Sequence, residues 1–125
     1  MSNCLFCNIE ADQIVDEYNY FVAIRDLYPV TPLHTLVIPK RHIVTYFQCN
    51  ENEHIEIPRI LNSQKNRLID SDKEITGFNI GMNIGEDAGQ TVFHFHIHII
   101  PRRTGDTENP RGGIRGVIPH KQNYN

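Results

Sequence analysis

Five short stretches of this chain alternate apolar and polar positions or run apolar between turn residues, and one longer stretch repeats with a helical period. Ile14–Glu17 predicts a short strand. Tyr20–Arg25 predicts a stronger one, rich in aromatic and branched side chains. Asp26–Pro32 holds two prolines in four residues and predicts a connection. His34–Ile38 then reads as a strand closed by Pro39. Phe78–Ile84 is a fourth strand between Gly77 and Gly85, and Gly85–Gly89 is a turn. Thr91–Ile100, ended by Pro101, carries the strongest strand signal of all.

Asn50–Asp70 is the helix candidate. Asn50 and Glu53 have the spacing of a capping box. Ile57, Ile60, Leu61, Leu68 and Ile69 fall on one helical stripe, with Lys65 and Arg67 off it. Pro58 opposes a continuous helix, so the expectation is a turn over 51–56 and a main helix beginning near Ile57. Strands around a single helix predict an α+β domain with about five antiparallel strands. From residue 104 onward glycine and proline dominate, which divides the chain into a domain over 1–103 and an extension over 104–125 without regular structure.

Composition narrows the class. A chain of 125 residues supports one core. With 39% hydrophobic and 22% charged residues it is too apolar for disorder. A net charge of −3 argues against coating nucleic acid by bulk charge. The longest apolar run, Tyr20–Ile24, is far too short to span a membrane. No basic segment followed by an apolar one opens the chain, so the expected address is the cytoplasm. In that reducing setting the odd cysteine count, three, predicts thiols or metal ligands rather than disulfides. Cys49, alone near a helix start, reads as a small buried residue. His54 and His120 read as surface residues.

The seven histidines are the most informative feature. In His94-Phe95-His96-Ile97-His98-Ile99-Ile100 a strand period of two puts His94, His96 and His98 on one face and Phe95, Ile97 and Ile99 on the other. The apolar set predicts a core face. The imidazoles then form a line with neighbours roughly 6.6–7 Å apart. Such a line suits a metal site or phosphate chemistry. The strand contains no acidic residue, and the preceding Gly89-Gln90-Thr91 offers neutral donors suited to an anion.

The stretch Gly89–Arg102, with its His-φ-His-φ-His-φ-φ core (φ, an apolar residue), resembles the signature of the histidine triad family of nucleotide hydrolases and transferases. Pro32-Leu33-His34-Thr35-Leu36-Val37-Ile38-Pro39-Lys40-Arg41-His42 resembles that family's upstream block, and Gly77–Asn83 fits the strand before the triad. The likeness runs from about residue 4 to 103. It implies a half-barrel of about five antiparallel strands with one main helix, assembled as a homodimer.

The same resemblance implies a two-step nucleotidyl transfer. His96 attacks the α-phosphorus of a purine nucleotide conjugate, forming a histidyl-nucleotide that water then hydrolyses, with His98 and His94 completing the catalytic set. Asp26 matches the position that contacts ribose. Asn83, Gln90 and Thr91 match positions that contact phosphate, and His34 supports the triad from beside it. Phe6, Ile9, Ile24 and Leu27 are candidates for a base slot. Cys4-x-x-Cys7, His42 and His94 match a Cys2His2 set found in branches of the family, implying structural zinc and no organic cofactor.

Two signals bear on substrate. Pro101-Arg102-Arg103 resembles the fragile histidine triad and polyphosphate-cleaving members, whereas Pro39-Lys40-Arg41-His42 leans toward the phosphoramidase branch. Dinucleoside polyphosphates and nucleoside phosphoramidates both stay open, as does a nucleotide-binding sensor or scaffold module with incidental hydrolysis. Expected partners exclude nucleic acid and membrane. Four arginines against Asp106 and Glu108 leave 102–116 net positive, so Arg111–Gly116 is either a cover for polyphosphate or a solvated tail.

Overall fold

Side-chain alternation gives the sheet two different faces. Strands β1 (Ile14–Glu17), β2 (Phe21–Arg25), β3 (Thr35–Pro39), β4 (Ile75–Gly81) and β5 (Ile97–Arg103) pair antiparallel in the order β1-β2-β3-β5-β4. Phe21, Val37, Ile97 and Ile99 point to one face and pack with Ile57, Ile60 and Leu68 of helix α1 (Glu51–Ser71). Val22, Ile24, Leu36 and Ile38 point to the other and pack with Phe6 of the N-terminal segment. This is the expected α+β architecture with one main helix. The computed structural model describes residues 3–124. Met1, Ser2 and Asn125, at the outer ends of the expected domain and extension, lie outside the described residues.

The helix departs from expectation. It starts at Glu51 and runs through Pro58. The capping box forms at Asn50: its side chain accepts the Glu53 N–H at 2.9 Å, and the Glu53 carboxylate accepts the Asn50 N–H at 2.8 Å. Residues of the first two turns then bury usefully. Glu53 is 2% exposed and holds Arg41, and Glu56 accepts the backbone N–H groups of Asn19 and Tyr20. Pro58 lies on the exposed side, where water can serve the His54 carbonyl that loses its helical partner.

The triad strand departs as well. Ordered pairing begins only at Ile97, so His94 and His96 precede β5 rather than lying within it, and Pro101 falls inside it. Pro101 is tolerated because β3 pairs only with Ile97–Ile99. Beyond that point the flank of β5 is unpaired, and a missing N–H costs no ladder bond. The Pro101 carbonyl on that flank accepts the Thr31 hydroxyl at 2.6 Å. β4 also begins earlier than Phe78 and ends at Gly81.

The described part of the extension holds no α-helix or strand, as expected, and is ordered by short turns. It contains 3-10 turns at Gly113–Val117 and Pro119–Lys121. The Gln122 amide donates to the Asn109 and Arg111 carbonyls. Gly112 has φ +89, and a Cβ there would lie 2.1 Å from the Gln122 carbonyl oxygen, so the closure requires glycine.

Candidate active site and metal centre

One row of register partners builds the site. Ile14 pairs with Ile24, Ile24 with Leu36, and Leu36 with His98, while Gly81 faces His98 from the other side. The N-terminal segment crosses the apolar half of this row, and a cavity of about 340 Å³ lies between them. Asp26, Asn83, Thr91, His96 and His98 line it, together with the four expected apolar residues, Phe6, Ile9, Ile24 and Leu27.

Backbone carbonyls and amides fix the ring tautomers. His96 Nδ1 lies 2.8 Å from the His94 carbonyl oxygen, which only accepts, so the neutral ring carries its proton on Nδ1 and keeps a lone pair on Nε2. His34 Nδ1 accepts the Val30 N–H at 3.0 Å, which places the His34 proton on Nε2. That Nε2 lies 2.9 Å from His98 Nδ1 and donates to it. His98 therefore presents Nε2–H as a donor. The pair facing the cavity is one lone-pair nitrogen, on His96, beside one N–H donor, on His98, with ring centroids 5.1 Å apart.

Burial favours the neutral form of His98 and His34. It pushes the His98 imidazolium down to about 4, with the neighbouring His96 and His34 lowering it further and Asp26 opposing. Burial lowers His34 as well, against the pull of Asp26. The Asp26 carboxylate lies 3.5 Å from His34 Nε2, and its other oxygen accepts the Tyr28 N–H at 2.8 Å. Asp26, His34 and His98 are close enough for a cation. The proton that Val30 forces onto His34 Nε2 closes that set to one.

His94 turns away from the cavity. It is fully buried, and its Nε2 donates to the Pro39 carbonyl at 2.9 Å, leaving the Nδ1 lone pair toward Cys4, Cys7 and His42. The sulfur–nitrogen approaches to His94 are 3.3 and 3.5 Å, Cys7 Sγ to His42 Nδ1 is 3.2 Å, and the two Nδ1 atoms are 3.1 Å apart. A tetrahedral zinc with Zn–N near 2.0–2.1 Å and Zn–S near 2.3 Å has N–N and N–S edges of roughly 3.3–3.6 Å. Two of these edges lie in that range and two fall slightly short of it, so a small expansion brings the four donors to that polyhedron, and the Pro39 carbonyl supplies the outer hydrogen bond that orients a histidine ligand.

His34 stands behind His98, outside the cavity, in the supporting place expected of it, whereas Gln90 sits elsewhere than expected. Gln90 is 3% exposed; its oxygen accepts the Gly85 N–H at 2.9 Å and its amide donates to the Val44 and Val92 carbonyls. It closes the Gly85–Gly89 turn rather than facing the cavity. The cavity also takes in Leu5, Gln13, Tyr28, Leu36 and Val92, which sequence reading missed. Leu36 was accessible from strand parity, two positions from His34. The others needed the path of the N-terminal segment and of the loop after β2. Cys49 is half-buried, and burial pushes its thiol up to about 11, which keeps it protonated and unreactive.

The family model described as the HIT domain matches residues 9–105. Protein hit of Bacillus subtilis strain 168 is 41% identical over 108 residues, spanning 80% of this chain and 71% of that protein. A zinc-bound histidine triad family protein from Mycobacterium smegmatis has a crystal structure that superposes with a TM-score of 0.75 at 34% identity, covering 86% of this chain and 80% of that one. A Plasmodium falciparum diadenosine triphosphate hydrolase, solved with Cyclomarin A, gives 0.74 at 29% identity, covering 81% and 68%.

Proposed function

This chain belongs to the HIT family, and we propose that it is a nucleotidyl hydrolase or transferase that cleaves purine nucleotide conjugates at the α-phosphorus through a covalent intermediate on His96. The observation that carries the reading is the tautomer pair: a lone-pair nitrogen on His96 beside an N–H donor on His98, in one cavity with Asp26, Asn83 and Thr91.

In the first step His96 Nε2 forms a bond to phosphorus, and the bond from phosphorus to the leaving oxygen or nitrogen breaks. The leaving group departs with that electron pair and takes a proton from water. His98 Nε2–H, with the Asn83 amide and the Thr91 hydroxyl, donates to the non-bridging oxygens as charge develops on them. In the second step water attacks phosphorus and gives its proton to the hydroxide left by the first step, the N–P bond breaks with its electron pair returning to His96 Nε2, and a nucleoside monophosphate leaves. Asp26 accepts from the ribose hydroxyls. The base lies between the N-terminal segment and the apolar ends of β2 and β3. Gln90 acts indirectly, by holding the turn that precedes Thr91.

Cys4, Cys7, His42 and His94 would hold zinc. Bound there, the metal supplies a structural cross-link and no chemistry on phosphorus. A reducing compartment, proposed to be the cytoplasm, keeps both cysteines available as thiolates. No helix of the described residues is long and apolar enough to cross a membrane. β4 ends the sheet, so its outer edge is where a second copy would pair in the homodimer.

The test is a substrate panel of adenosine and guanosine phosphoramidates and dinucleoside tri- and tetraphosphates, run with zinc quantified in the same preparation. The reading expects turnover of at least one class and its loss in His96→Asn. Tight nucleoside monophosphate binding without turnover of any class would establish the sensor alternative instead.

A further inference from the structure

The row Ile14–Ile24–Leu36–His98 spans three strand spacings, about 14 Å. Phosphate chemistry belongs at its His98 end. Toward β1 the row runs through Ile24 to Ile14, and Gln13, the residue before β1, enters the cavity lining with the apolar Ile9 and Ile24. A carboxamide among apolar side chains at the far end from the phosphate calls for its own account.

The conformation of Gln13 is fixed from both sides of its turn. Its Oε1 accepts the Glu10 N–H at 2.9 Å, and the Gln13 backbone N–H donates to the Glu10 carbonyl at 3.0 Å in return. A backbone N–H only donates, so the atom facing it is the amide oxygen and the NH2 group is the end left over. Among the described residues nothing in the protein accepts from that NH2. The turn therefore holds a donor, with its acceptor already committed, beside the slot where the base would lie.

We propose that the Gln13 side-chain NH2 donates to a ring nitrogen of the purine base and so sets base preference at this site. The inference rests on the nucleotide reading above and adds the residue that reads the base. A donor with no free acceptor beside it recognises an unprotonated ring nitrogen, and gains nothing from a ligand that lacks one. Gln13 is half-buried, and a base seated over it would take its NH2 out of water, so a ligand without the acceptor leaves that donor unpaired and is discriminated against.

The test reads binding, independent of turnover. Calorimetry gives the Kd of AMP, of its 1-deaza, 3-deaza and 7-deaza analogues, and of ribose 5-phosphate. With the wild-type protein, one deaza analogue binds about tenfold more weakly than AMP. In Gln13→Glu, which keeps an oxygen for the Glu10 N–H, AMP weakens by a similar factor while ribose 5-phosphate falls far less. Gln13→Met, which carries no donor, gives the same ratio. Equal affinity of the wild type for AMP and all three analogues overturns the proposal whatever the variants do. AMP binding with a ratio unchanged by both substitutions overturns it too, and leaves the nucleotide reading standing. Absence of AMP binding removes both.

Discussion

His34 Nε2 lies 2.9 Å from His98 Nδ1, and the Val30 N–H on the far side of the His34 ring decides which of the two carries the shared proton. A loop amide thereby fixes the donor that a half-buried triad histidine shows to the cavity. The consequence is measurable. His34→Phe removes the donor and leaves His98 free to take the other tautomer. The variant should fold, bind AMP within a few-fold of wild type, and lose about tenfold or more in kcat, the equivalent of one oriented hydrogen bond of about 1.4 kcal/mol. Unchanged kcat would show that the His98 tautomer is immaterial.

Acid should destabilise the fold through the same pair. His98 is held at about 4 by burial, by His96 and by His34, with Asp26 opposing, against an ordinary 6.5. His34 is shifted the same way. The unfolded chain therefore binds more protons between those values, and stability rises with pH across that window. As pH falls from about 6.5 toward 4, unfolding free energy from urea titrations should decline. His98→Asn should flatten that decline relative to wild type measured in the same buffers, whatever the metal site contributes to both. Parallel slopes would contradict the burial of a neutral His98.

Metal removal tests the second cluster. One zinc per chain is expected, and chelation should lower the melting temperature by about 5 °C or more, the scale of roughly 1 kcal/mol or above for a domain of this size. Cys7→Ser should reduce zinc content in purified protein, read by elemental analysis. A zinc-free preparation with an unchanged melting temperature would remove the metal from the account.

Much of this was legible in the sequence because strand parity survives local irregularity. Phe95, Ile97 and Ile99 reach the core although only two of them lie in β5. The same parity misplaced His94. On a straight strand it would share the cavity with His96, but sheet pairing starts at Ile97, and the backbone before it, where the Phe95 N–H donates to the Ile43 carbonyl at 2.7 Å, turns His94 toward Cys4, Cys7 and His42. The helix start was misread because the penalty for Pro58 is local. The capping box and the burial of Glu53 and Glu56 outweigh it, and their partners Arg41, Asn19 and Tyr20 are remote in sequence. Gln90 looked like a phosphate ligand by type, and only its three backbone partners show the amide to be occupied.

The central claim concerns one nitrogen, His96 Nε2, left with its lone pair because Nδ1 is committed to the His94 carbonyl. Acid-free rapid quench of the enzyme turning over an adenosine conjugate, followed by peptide mass spectrometry, tests it directly. The account predicts the mass of one nucleoside monophosphate group attached at His96, and none there in His96→Asn. An active enzyme that never carries nucleotide on that residue would contradict it.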